Sequence, residues 1–198
     1  ALLFDQCPNG QTEASVRALA ECPEQMGFSY PCNAGWRLWA LARHGRGDVV
    51  LSDLRTRWAT MRSVIENNTL QEDWTAPTDS TAQWSHCAVV PLYVLFQDIA
   101  GIRPLTPGFE QIAIRPQLAD LPDLDLTAHT PRGPIQFTAR VLDGGGHRVL
   151  ITIPEGCQAE LLVPAACRPE LEALSPDHPL GLKRFRLVAG RLNTLQLP

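Results

Sequence analysis

The chain has 198 residues, 44% of them hydrophobic, enough for a packed interior and too many for a disordered tail. Seventeen Lys and Arg against 21 Asp and Glu give a formal charge of -4. The basic residues are scattered, which argues against a nucleic-acid partner, because neutralising phosphates takes clustered cations, and favours a neutral or weakly charged ligand. No apolar run approaches the roughly 18–20 residues that span a bilayer, and Ala1-Leu2-Leu3-Phe4 lacks the charged flank and cleavage pattern of a signal peptide. The sequence therefore reads as soluble, without a membrane partner and with its compartment open. It begins without Met, which reads as a piece of a longer protein.

Composition divides the chain. All five Trp and both Tyr precede residue 100, whereas twelve of the seventeen Pro follow it. Proline disfavours helix interiors and is common at turns and strand edges, so the first part is expected to be helical and the second to be built of short strands.

In chain order, apolar residues recur at helical spacing over 12–21, 33–44, 47–65 and 83–99. Asn9, Asn33 and Ser80 are the expected N-caps, and His44-Gly45-Arg46-Gly47 reads as a stop followed by a turn. Pro91 lies inside the fourth stretch, so that helix either kinks there or begins there with Pro in its first turn. After Gly101 the period changes to two, with strands expected over 111–115, 124–130, 135–142, 148–153, 159–163, 185–188 and 194–197. Seven short strands separated by Pro- and Gly-rich turns predict an antiparallel sandwich.

Six cysteines, Cys7, Cys22, Cys32, Cys87, Cys157 and Cys167, show none of the tight spacings of a zinc site, and they read as reduced, buried small residues. No metal or cofactor is expected.

Between the third and fourth helical stretches lies Asn67-Asn68-Thr69-Leu70-Gln71-Glu72-Asp73-Trp74, followed after a polar loop by Trp84-Ser85-His86. Sugar-cleaving sites use these groups: a carboxylate activates water, an indole face stacks on a pyranose, and imidazole hydrogen-bonds hydroxyls. Each also has an ordinary structural reading. Glu72 and Asp73 can be loop carboxylates or caps, and Trp74, Trp84 and His86 can be core residues. Neighbouring side chains of an extended stretch point apart, so one of Glu72 and Asp73 is expected to be structural. Inverting glycosidases pair a base with a carboxylic acid roughly 6.5–9.5 Å away. No second carboxyl in this chain suits that role, Glu66 reading as a helix end.

Several motifs together resemble bacterial α-L-rhamnosidases of glycoside hydrolase family 78: Arg57-Trp58-Ala59-Thr60-Met61 leading into residues 68–74, Ser85-His86, Ala100-Gly101-Ile102-Arg103-Pro104, Pro107-Gly108-Phe109 and Ile114-Arg115-Pro116. The last three resemble the junction between that family's catalytic and terminal domains. The resemblance implies an α+β, two-domain fold: residues 1–102 as the closing helical hairpins of an (α/α)6 six-hairpin barrel, and 103–198 as an antiparallel β-sandwich. It aligns Thr69, Glu72 and Trp74 with a Thr-x-x-Glu-x-Trp motif, making Glu72 the catalytic base of an inverting mechanism. Trp74, Trp84 and His86 become substrate contacts. Gln71 departs from the usual aromatic before the Glu, and Trp84 stands where many members carry a polar residue.

The family's general acid lies on an earlier barrel segment that this chain lacks. The chain thus reads as the C-terminal portion of a rhamnosidase whose partners are a rhamnosyl glycoside and the missing N-terminal part of the same enzyme. On its own it is expected to be inactive and, with barrel faces uncovered, to self-associate. Other sugars for the same fold, or a non-catalytic carbohydrate-binding or structural module, are the alternatives.

Overall fold

A computed structural model describes residues 1–81, 87–167, 169–178 and 180–198. The chain divides into two units, Ala1–Leu95 and Phe96–Pro198, the first helical and the second built of strands. Trp84 and His86 lie outside the described residues.

In the helical unit, α1 runs over Thr12–Glu21, as the apolar spacing predicted, and ends where Cys22 turns left-handed and donates its N–H to Ala18 O. Its N-cap is Gln11 rather than Asn9, and no side chain caps it. Helix α2 spans Pro31–Arg43, starting two residues before the predicted start. Pro31 accounts for this, since its φ is already helical and its absent N–H costs nothing in a first turn; Asn33 therefore falls inside the helix. The helix buries Ala34, Gly35, Leu38, Leu41 and Ala42. At Gly35 a β-carbon would come within 2.6 Å of Val90 Cβ, so the glycine sets how closely α2 approaches the segment around residue 90.

The predicted helix over 47–65 is three pieces. Helix α3, Gly47–Asp53, runs into a π-helical turn, Leu54–Trp58, whose widened ladder shows in Ala59 N–H donating to Leu54 O at 2.8 Å. Met61 is then extended, at φ -59° and ψ 135°, before α4 at Arg62–Asn67. Asn68, left-handed at φ 54°, closes α4: its N–H reaches Val64 O, and Thr69 N–H reaches Ser63 O at 3.2 Å. Helix α5, Val90–Val94, carries Pro91 in its first turn, so the proline starts this helix and does not kink it. A second π-helical turn, Leu95–Ile99, follows.

A buried ion pair ties these helices together. Arg37 of α2 and Asp53 of α3 have side chains 11% and 12% exposed, and Arg37 donates to Asp53 Oδ2. The same guanidinium donates from Nε to Leu19 O at 2.6 Å and from Nη2 to Ala20 O at 3.2 Å. One cation thus answers a buried carboxylate and the open carbonyls at the end of α1.

In the second unit, all seven predicted strands form: β2 (Gln111–Ile114), β3 (Asp123–Thr130), β4 (Gly133–Val141), β5 (His147–Thr152), β6 (Gln158–Val163), β8 (Lys183–Leu187) and β9 (Leu192–Leu197). Two short ones were not predicted, β1 (Ile102–Pro104) and β7 (Ala173–Leu174). A five-stranded sheet, β1-β2-β6-β8-β7, faces a four-stranded one, β3-β4-β5-β9. Alternate residues such as Ile135, Phe137 and Ala139, Val149 and Ile151, Leu161, and Leu195 form one core shared by the two sheets. The sandwich departs from the antiparallel expectation at one pair. β2 and β6 run parallel, with Ile112 opposite Ala159, because the three strands between them belong to the other sheet and the chain returns in its original direction.

The residues of the junction motif have structural work in this unit. Asp98, fully buried, pairs with Arg103, whose Nε also donates to Gln97 O at 2.9 Å. Gln117 donates from its backbone to Ile99 O and from Nε2 to Asp98 O, at 2.9 and 3.1 Å. Gly101, at φ 77°, lies directly on the Arg115 backbone, whose N–H it accepts at 2.9 Å.

Two stability predictions follow from this packing. Gly101→Ala, which would drive a β-carbon into the Arg115 carbonyl at a left-handed φ, should cost about 2–4 kcal/mol in denaturant unfolding. Gly144→Ala, with open space around it, should stay within about 0.5 kcal/mol. Asp53→Ala, which leaves the Arg37 charge buried, should cost about 3–5 kcal/mol. Asp48→Ala, breaking an ion pair with Arg46 whose side chains are 37% and 58% exposed, should cost under about 1 kcal/mol.

Candidate functional site

The loop after α4 is fixed at several points, and Glu72 sits between them. Gln71 is fully buried and its Nε2 donates to Pro77 O at 3.1 Å, closing the loop on itself. Asp73 accepts from Thr75 N–H and Thr75 Oγ1–H at 3.0 and 3.2 Å, a local turn made by its own side chain. Of the two adjacent carboxylates, Asp73 is thus the one spent on structure. Glu72 is exposed and has no hydrogen-bond or ion-pair partner among the described residues.

Trp74 is half-buried and anchored. Its Nε1–H donates to Ser29 O at 2.8 Å, across 45 residues of sequence. Its ring packs edge-on against the buried Trp58, with centroids 5.1 Å apart and planes at 73°, and lies 5.6 Å from Phe28. On Phe28 rests the Arg57 guanidinium at 3.7 Å, with that of Arg37 at 5.5 Å. Arg57 Nε also lies 3.7 Å from Asp53 Oδ1. The aromatic floor of the loop is therefore joined to the buried ion pair of the helical unit.

Sequence reasoning singled out Glu72 and Trp74 and missed Phe28, Arg37 and Arg57. The i,i+4 spacing of Asp53 and Arg57 was readable. Nothing local pointed to Phe28. Trp84 and His86 lie outside the described residues, so the structure gives no position for them relative to Glu72.

Glu66, the next carboxyl back along the chain, is paired on its own helix. Arg62 bonds Glu66 at 2.6 Å and, with a further bond from Thr78, holds its carboxyl below the usual carboxylate range. A cavity of about 390 Å³ in the same unit is lined by residues including Leu2, Phe4, Leu19 and Trp36, and takes in neither Glu72 nor Trp74. Among the described residues no group of three or more His, Cys, Asp or Glu is placed to hold a metal ion. Of the cysteines described, none forms a disulfide; Cys157 and Cys167 are buried as expected, whereas Cys7, Cys22 and Cys32 are only half-buried, since they lie at helix ends and connections. In the sandwich, Phe137 and Phe185 are 1% and 8% exposed, which leaves neither as a stacking platform. Among the described residues no helix is long and apolar enough to cross a membrane.

Comparison with known proteins gives a consistent picture. Residues 101–173 match the model of the bacterial alpha-L-rhamnosidase C-terminal domain. No curated protein matches the chain by sequence. Among solved structures, the α-L-rhamnosidase of Aspergillus terreus is 17% identical with a TM-score of 0.73, covering 99% of this chain and 23% of that one. The Streptomyces avermitilis α-L-rhamnosidase, solved with L-rhamnose, is 18% identical with a TM-score of 0.63, covering 94% and 21%. The enzyme from Dictyoglumus thermophilum is 19% identical with a TM-score of 0.61, covering 83% and 20%. The chain thus spans about a fifth of the length of the rhamnosidases it matches. Residues 101–173 are thus similar to the bacterial alpha-L-rhamnosidase C-terminal domain, and the chain as a whole is similar in fold to a stretch of these enzymes.

Proposed function

We propose that the chain is the C-terminal portion of an inverting α-L-rhamnosidase that releases terminal rhamnose from glycosides or polysaccharides. The observation that carries this reading is the structural likeness that extends beyond the matched domain, through the helical unit, to 99% of the chain. That likeness in fold supports reading the Thr69, Glu72 and Trp74 motif as part of the same enzyme.

In this reading residues 1–102 close an (α/α)6 barrel and 103–198 form a β-sandwich. Glu72 takes a proton from the water that attacks the anomeric carbon, on the face opposite the leaving oxygen. Its exposure, and the lack of a competing partner among the described residues, suit a group that must reach water. Trp84 and His86 are the sugar contacts that the motif order implies. The leaving oxygen is protonated by a carboxylic acid from the N-terminal part of the enzyme, outside this chain, as the family resemblance implies. Barrel surfaces that meet that part would be bare here: Trp36 and Leu92 are 49% and 58% exposed. The isolated 198-residue chain is then prone to self-association.

In the enzyme that contains this segment, Glu72→Gln should lower kcat about a hundred- to ten-thousand-fold on an aryl α-L-rhamnoside with KM little changed. Early-time NMR should show the β-anomer of rhamnose released first. The isolated chain should show no turnover; turnover that is lost on Glu72→Gln would overturn the division of the site between two parts of the enzyme.

A further inference from the structure

The reading of Glu72 as the base leaves open what aims its carboxylate, and the geometry around Trp74 answers this. A sugar platform needs a free ring face and uses the indole N–H, if at all, toward the ligand. Trp74 gives its N–H to Ser29 O at 2.8 Å and its ring to Trp58 and Phe28, at centroid distances of 5.1 and 5.6 Å. These contacts hold the loop two residues after Glu72. One residue before Glu72, the buried Gln71 holds it again through Pro77 O. The Glu72 backbone is thereby pinned on both sides, and only its side chain is left to turn.

The pinning is itself braced. Phe28 and Ser29 belong to a connection without helix or strand, between residues 26 and 31, which alone would be a poor anchor. Arg57 lies 3.7 Å over the Phe28 ring, Arg37 lies 5.5 Å from it, and both guanidinium groups also face Asp53. The charge cluster of the helical unit fixes Phe28; Phe28 and Ser29 fix Trp74.

Resting on the assignment of Glu72, we infer that Trp74 is a positioning residue, which with Phe28 and Arg57 aims the Glu72 carboxylate, and is not a platform for the sugar. A small displacement of a catalytic group lowers the rate of the chemical step more than it weakens binding, and this separates the two roles.

The test uses the enzyme that contains this segment, with an aryl α-L-rhamnoside as substrate. Trp74→Phe keeps a ring against Phe28 and Trp58 but cannot donate to Ser29 O. It should lower kcat about ten- to a hundredfold with KM within about twofold. Phe28→Leu, which removes the brace, should give the same split, and serves alone if Trp74→Phe lowers the melting temperature so far that the enzyme is unfolded under assay. Either effect should vanish when the substitution is made in Glu72→Gln, because a group that acts through the carboxylate has nothing to act on once the base is gone. A Trp74→Phe enzyme with unchanged kcat and raised KM, or one whose loss persists in full in the Glu72→Gln background, would overturn the inference. Full activity of Glu72→Gln by itself would instead overturn the assignment of the base.

Discussion

Asp53 is withdrawn from water, and a carboxylate so placed stays charged only beside a cation. The organisation of the helical unit answers that demand. Arg37 reaches across from α2, and because its fork has donors to spare, it also takes the last carbonyls of α1. A lysine could not do both, having a single point charge in place of a planar fork. The second cation, Arg57, arrives four residues after Asp53 on a π-helical turn. The extra residue in that turn shifts the side chains that follow it around the helix. Trp58 ends up buried and Arg57 beside it over Phe28. The floor on which the Glu72 loop rests is therefore tied to a buried ion pair of the helical unit.

The strand unit repeats the logic at its start. Asp98 is fully buried and Arg103 answers it. Here the partners are five residues apart, so the pair bends the chain between them, and the bend needs Gly101 in a conformation other residues avoid. The close approach of Gly101 to Arg115 joins the two ends of the hairpin that begins the five-stranded sheet. This explains why a recognisable motif falls at this point of the sequence. Its Gly, Arg and Ile residues serve backbone geometry, a buried charge and the core, respectively.

What the sequence disclosed follows from how local each determinant is. Helix α1 and the seven main strands were legible because burial of one face at period 3.6 or 2 is written in consecutive residues. The π-helical turns were not, since a widened ladder leaves an apolar pattern nearly intact while shifting its phase. Asn9 and Asn33 failed as caps because Pro31 and the backbone turn at Gln11 set the helix starts. The parallel pairing of β2 and β6 depends on which sheet the intervening strands join, a choice made by tertiary packing. At the candidate site, a structural use for one of the adjacent pair Glu72 and Asp73 was readable from adjacency, and Asp73 is the one that turns back on Thr75. Phe28 was not, lying more than forty residues from the loop it supports and carrying no motif of its own.

Gln71 shows how the loop holds its shape where it departs from the resembled motif. An aromatic at that position would be held by apolar burial alone. The amide is equally buried, but it donates to Pro77 O, so burial and loop closure come from one side chain. The arrangement has a cost, because the amide oxygen has no partner among the described residues, and a buried acceptor left so costs about 1–3 kcal/mol. A polar group kept at that cost on the residue before Glu72 points to a demand for loop geometry over stability. The same demand accounts for Asp73 turning back on Thr75 and Trp74 reaching to Ser29. Gln71, Asp73 and Trp74, on either side of one exposed carboxylate, are each committed to the protein, and Glu72 has no partner among the described residues.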